Sequence, residues 1–164
     1  MGMARLGSTL RYTPTLDLHG TDTFTYTISD GMLEATATVT VVVNAVNDAP
    51  TLNAIGNFTL DEDAGTQTVT LTGIGTGAAN ELQPLTVTAT SSNPALIPQP
   101  TVTYASPQTS GQLDFTPAAD QWGTATISVT VDDGISTTVR AFQVTVNAIN
   151  DLPTLDTIGD LILD

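Results

Sequence analysis

Thr124-Ala125-Thr126-Ile127-Ser128-Val129-Thr130-Val131, followed by Asp132-Asp133-Gly134, decides what kind of fold this chain makes. Ile127, Val129 and Val131 fall on one side of an extended strand, and Thr126, Ser128 and Thr130 on the other. That two-residue period belongs to an antiparallel strand buried on one face. Asp-Gly then supplies the positive φ that a tight hairpin needs. Outward from this hairpin, turn residues bound further strand segments at Leu52–Ile55 with Phe58–Leu60 (one strand interrupted at Gly56), Thr66–Thr72, Leu85–Thr90, Thr101–Tyr104, Gln112–Phe115 and Thr137–Asn147. Val69, Leu71, Leu85, Val87, Phe142, Val144 and Val146 are expected to face the core.

Seven short strands in about 100 residues predict an all-β, seven-strand Greek-key immunoglobulin-like sandwich. No long apolar stripe with a 3.6-residue period competes with that reading. Val and Thr dominate instead; Thr alone supplies about a fifth of the chain, and β-branched side chains suit a pleated surface. Aromatic residues make up only 5 %, so the core must be aliphatic.

The pattern also repeats. Tyr12 to Asp61 returns without a gap as Phe115 to Asp164, at a constant offset of 103 residues and with about 22 of 50 pairs identical. Val43-Asn44-Ala45-Val46-Asn47-Asp48-Ala49-Pro50-Thr51-Leu52 becomes Val146-Asn147-Ala148-Ile149-Asn150-Asp151-Leu152-Pro153-Thr154-Leu155. A period of one small domain implies domains in tandem rather than one large core. The register predicts that residues 1–47 are the C-terminal part (strands five to seven) of one repeat, that 48–150 are a complete domain, and that 151–164 are the first strand of a following repeat.

Charge narrows the function. The net charge is −14 with three cations, Arg5, Arg11 and Arg140, and no lysine. Such a surface repels nucleic acid and anionic membranes and attracts divalent cations. No segment is long and apolar enough for direct membrane insertion. With no cysteine, no lysine and a single histidine, His19, most nucleophile–base pairs cannot be assembled, and an enzyme is not expected. His19 aligns with Trp122 in the repeat, which predicts a packing plug at the mouth of the sixth strand; Tyr104 is likewise expected in the core or at a corner.

The repeated Val-Asn-Ala-Val-Asn-Asp-Ala-Pro-Thr-Leu linker, with Ser29-Asp30-Gly31, Asp132-Asp133-Gly134 and Leu60-Asp61-Glu62-Asp63-Ala64-Gly65, resembles the cadherin-like, Ig-like tandem repeats of large extracellular adhesin-type bacterial surface proteins. The resemblance implies extracellular domains strung end to end, often with Ca²⁺ at the junctions. Strand order in such a sandwich groups Asp17, Asn44, Asn47, Asp48, Glu81, Asp132 and Asp133 at the first junction. It groups Asp61, Glu62, Asp63, Asp120, Asn147, Asn150 and Asp151 at the second. Ca²⁺ takes six to eight oxygens from carboxylates, amides and carbonyls, which is what both groups offer. The sequence departs from cadherins where their linker carries a leading aspartate, which here is asparagine (Asn44, Asn147).

The expectation is therefore a structural extracellular module, secreted or at the cell surface: a spacer or stalk of a bacterial adhesin, a matrix protein or a filament subunit. Its partners would be neighbouring repeats or other copies of itself. A variant is self-assembly by strand complementation, Leu155–Asp164 of one chain completing another chain's sheet. The alternative is a carbohydrate- or protein-binding Ig-like module, with a glycan or a surface protein as its ligand.

Overall fold

The computed structural model describes residues 2–6, 9–157 and 159. Gly2–Leu6 (β1) pairs antiparallel with Thr9–Thr13 (β2), and Gly20–Ser29 (β3) with Glu34–Val43 (β4). Then follow Phe58–Asp61 (β5), Gln67–Thr72 (β6), Thr86–Ser91 (β7), Thr101–Thr103 (β8), Ser110–Phe115 (β9), Gly123–Asp132 (β10) and Thr137–Asn147 (β11). These seven form a sandwich of a four-stranded sheet, β5-β11-β10-β7, and a three-stranded sheet, β6-β9-β8. Among the described residues there is no α-helix. The chain is all-β and immunoglobulin-like, as its patterning requires.

The alternation read in the sequence becomes the core. Ile127, Val129 and Val131 of β10 are fully buried, and so are Leu71, Leu113 and Val144 on β6, β9 and β11. Phe58, Phe115 and Phe142 meet at centroid distances of 5.6–6.2 Å in tilted and edge-on pairs, the arrangement that aromatic quadrupoles favour. Leu96 and Ile97, in a segment the patterning leaves as loop, are also buried. A turn in which their amides donate to the Asn93 carbonyl directs them inward.

The chain enters the sandwich along both sheets. Thr51 and Asn53 donate backbone N–H groups to Gly75 and Thr72 beside β6; after Gly56 the chain crosses over, and β5 runs parallel to Val144–Asn147 of β11. The interrupted first strand is therefore a switch between sheets. Gly77 makes room for the linker: its φ is +98°, and a Cβ there would stand 2.5 Å from the Ala49 carbonyl oxygen, too close for any side chain.

The sequence reading needs correction at two places. Trp122 is not a plug; it is 69 % exposed, and His19 is exposed as well. Buried Leu96 takes the place expected of it, its Cδ2 lying 3.9 Å from where a Cβ would project at Gly123, the first residue of β10. β1 was not anticipated, because Gly and Ala give it little strand propensity of its own; it is held by register pairing to β2. The strand expected over Leu155–Asp164 falls largely outside the described residues, and residues 155–157 belong to no strand. Tyr104, by contrast, packs partly buried against the core, its hydroxyl donating to the Gln108 carbonyl.

β2, β3 and β4 match β9, β10 and β11 in the repeat register but have no opposing layer like β6–β8 among the described residues. Ile28 is 65 % exposed where its register partner Val131 is fully buried. Consequently Ile127→Ala should destabilise the sandwich by about 2–5 kcal/mol, whereas Ile28→Ala should stay within about 1 kcal/mol. Guanidinium unfolding of the two variants checks this directly.

Candidate functional site

Both acidic groups read from the sequence lie at ends of the sandwich, and each has an internal division of labour. At the β5–β6 end, Asp63, Asp120 and Asp151 each bring one carboxylate oxygen within 4.8 Å of the others. They come from the β5–β6 loop, the β9–β10 loop and the linker after β11. Asp63 and Asp120 have φ of 63° and 56°, a left-handed conformation that aspartate tolerates better than most residues at some cost. Asp17, the register partner of Asp120, has φ of 59°. The Asp120 amide donates to Asp63 Oδ1 at 3.1 Å, which ties the two loops together.

The neighbouring residues hold the linker instead. Asn147 Nδ2 donates to Asp61 Oδ1 at 3.2 Å. The buried Glu62 donates its amide to the Asn147 carbonyl at 2.8 Å and accepts the Ile149 amide on Oε1. Asn150 Nδ2 donates to the Asp151 carbonyl at 3.2 Å.

At the opposite end the linker meets the β10–β11 hairpin tip. Asp133 is 5 % exposed and accepts four bonds. Oδ1 takes the Ile135 and Ser136 amides at 2.8 and 2.7 Å; Oδ2 takes Asn47 Nδ2 and Ser136 Oγ, each at 3.0 Å. Asn47 is saturated in turn: Nδ2 also reaches Ser136 Oγ and the Asp48 carbonyl, while Oδ1 accepts from Gln83 Nε2 at 2.9 Å. Asp132 Oδ1 accepts the Gly134 amide and closes the turn. Glu81 Oε1 accepts the Asp48 amide at 2.8 Å. Sequence reasoning missed Gln83 and Ser136; Ser136 had a signal, lying three residues after an aspartate in an Asp-Gly turn, and Gln83 had none.

Beside this junction lies an open groove of about 430 Å³, bordered by Asp17, His19, Asn44, Asp48 and Asn80. His19 Nδ1 is 3.4 Å from Asn80 Nδ2. Two oxygens here are buried and without a hydrogen-bond partner, Asn80 Oδ1 and Glu81 Oε2.

The Asp133 carboxyl is held well below the usual carboxylate range, first by the Ser136 amide; burial opposes this, and the Asn47 amide and the Ile135 and Ser136 donors reinforce it. A carboxylate whose folded pKa is depressed stabilises the fold above its unfolded pKa of about 3.9 and loses that contribution as pH falls through the folded value. Asp133→Asn should therefore lower the thermal midpoint at pH 7, and the gap from wild type should narrow as the pH drops from about 4 towards 2. Thermal melts across that window read the difference.

The profile of the bacterial Ig domain family matches residues 2–42 and again 47–147. Comparison with characterised protein sequences gave no match. Among solved structures, domains 1–6 of the surface layer protein SbsC are similar at 19 % identity and a TM-score of 0.42, over 82 % of this chain and 17 % of that one. An endo-fucoidan hydrolase of glycoside hydrolase family 107 is similar at 22 % identity and a TM-score of 0.44, over 86 % and 20 %. The titin domains z1z2, in complex with telethonin, are similar at 13 % identity and a TM-score of 0.47, over 79 % and 62 %. The chain thus spans about a fifth or less of the length of the first two, and similarities at this level say nothing of function. The two family matches are separated by residues 43–46, and the second begins at Asn47. The chain belongs to the bacterial Ig domain family.

Proposed function

We propose that the chain is a structural module of a secreted or surface-attached bacterial protein, a spacer whose work is to hold successive Ig domains at a fixed distance. The observation that supports this most directly is the linker. Asn47 is bound to the domain that follows it through Asp133, Ser136 and Gln83, and Glu62 grips the next linker at Ile149. Each linker is thus tied by side chains to the sandwich at the end it adjoins, which restricts how far the chain can swing there. With no cysteine or lysine and a single histidine, few nucleophile–base pairs can be assembled, which supports a spacer rather than an enzyme.

Ca²⁺ fits the three-aspartate cluster. Carboxylate oxygens within 4.8 Å of one another can share an ion bound at about 2.3–2.6 Å, and Asp63, Asp120 and Asp151 would hold it. When bound, the ion supplies charge neutralisation and a bridge between two loops and the linker. Asp133 is a poor ligand, because four donors already occupy its oxygens. At the groove, Asp17 and Asp48 are the register partners of Asp120 and Asp151, and among the described residues Asn80 Oδ1 on its border and Glu81 Oε2 beside it in sequence are buried oxygens without a hydrogen-bond partner.

Millimolar Ca²⁺ should raise the thermal midpoint relative to EDTA, by linkage to the folded state. Asp63→Asn combined with Asp120→Asn should abolish the difference. Identical midpoints with Ca²⁺ and EDTA in the wild type would leave these aspartates as solvating and turn-forming residues only.

A further inference from the structure

We infer that Asn150 is a docking residue for the hairpin tip of a following Ig repeat, donating to an aspartate in the position of Asp133, so that each Asn-Asp step couples in two directions. The inference rests on reading the chain as part of a domain array. Asn47-Asp48 displays the arrangement. Asn47 points forward to Asp133 and Ser136, while the neighbouring Asp48 borders the groove that Asp17 lines from the preceding side. Asn150-Asp151 displays its backward half, with Asp151 gathered against Asp63 and Asp120.

The forward half is already set. Asn150 Nδ2 donates to the Asp151 carbonyl at 3.2 Å, just as Asn47 Nδ2 donates to the Asp48 carbonyl at 3.2 Å. The acceptor side forms independently of a linker as well. Asp30, the register partner of Asp133, receives the Met32 and Leu33 amides on Oδ1 at 2.9 and 2.8 Å. Asp133 Oδ1 receives Ile135 and Ser136 in the same way. With both halves preorganised, little ordering cost opposes their union, and tandem connection supplies a high effective concentration.

The apolar residues agree. Pro50 and Leu52 are buried in the sandwich that Asn47 docks on, and Thr138 Oγ1 and Arg140 Nε donate to their carbonyls. Their register partners Pro153 and Leu155 are exposed, Leu155 by 88 %. The partner that fits is therefore a β-hairpin tip with an Asp whose first oxygen is committed to its own turn, above an apolar slot for one leucine.

The test is an extended chain in which residue 150 is followed directly by a second copy of residues 48–164, so that Asn150 stands to the second sandwich as Asn47 stands to the first. Asn150→Ala in this chain should split the calorimetric transition, lowering the second sandwich by the same shift that Asn47→Ala produces in the original chain, on the order of 4–8 °C. In the original chain in EDTA, Asn150→Ala loses only its bond to the Asp151 carbonyl and should shift the midpoint by much less than Asn47→Ala does. An unsplit transition overturns the coupler, and so does a shift in the original chain as large as that of Asn47→Ala. Small-angle scattering separates the two readings: a silent Asn150→Ala in an extended two-sandwich rod overturns the coupler alone. A second copy that folds back on the first in the unsubstituted chain overturns both.

Discussion

Everything about the course of this chain between its domains depends on one carboxylate. Asp133 collects four donors at the tip of a hairpin, two from its own turn and one each from the Ser136 hydroxyl and the linker residue Asn47. Bonds to an ionised acceptor are the strong class of protein hydrogen bond, and a buried carboxylate without them would not be tolerated. The chain carries only three cations against seventeen acids, so ion pairing cannot neutralise its acids in general. Uncharged donors do the work instead: backbone amides at Asp30, the Thr68 hydroxyl and then the Gln112 amide at Asp114, and backbone amides with the Asn47 and Ser136 side chains at Asp133.

From that contact the geometry of the junction follows. The linker is drawn to the hairpin tip, Gly77 leaves space for it to pass, and Leu52 is delivered into the core at 2 % exposure. Once there, the chain has a sheet edge on either side and uses both in turn, first β6 and then β11. Of the adjacent acids, Asp48 borders the groove that Asp17 also lines, and Asp151 is gathered with Asp63 and Asp120.

The fold was legible because its determinants are local and periodic. Ile127, Val129 and Val131 announce a one-sided strand, and the 103-residue echo shows where the linkers lie. What the sequence hid was long-range or conformational. Leu96 and Ile97 look like loop residues until the turn at Asn93 aims them inward. Trp122 has the composition of a core residue, but the left-handed Asp120 and Gly123, with φ of 135°, bracket it and it lies on the surface. The junction acids were legible as a group but not in their roles. Asp133 in the first junction group and Asp151 in the second were read alike as junction ligands, yet one is saturated by donors and the other is gathered with like charges. Only the positions of Gln83 and Ser136, set by folding, separate a clamp from a cluster.

The central claim is that Asn47 and Asp133 act as one unit to fix the linker, and a double-mutant cycle measures it most directly. Guanidinium unfolding of Asn47→Ala, Asp133→Ala and the double variant at pH 7 gives the coupling. The account predicts that the double variant loses clearly less than the sum of the two single losses, because either substitution already breaks the shared contact, while the bonds of Asn47 to Ser136 and Gln83 keep a cost of their own. Strictly additive losses would contradict it, since the linker would then be held by contacts in which this pair has no part.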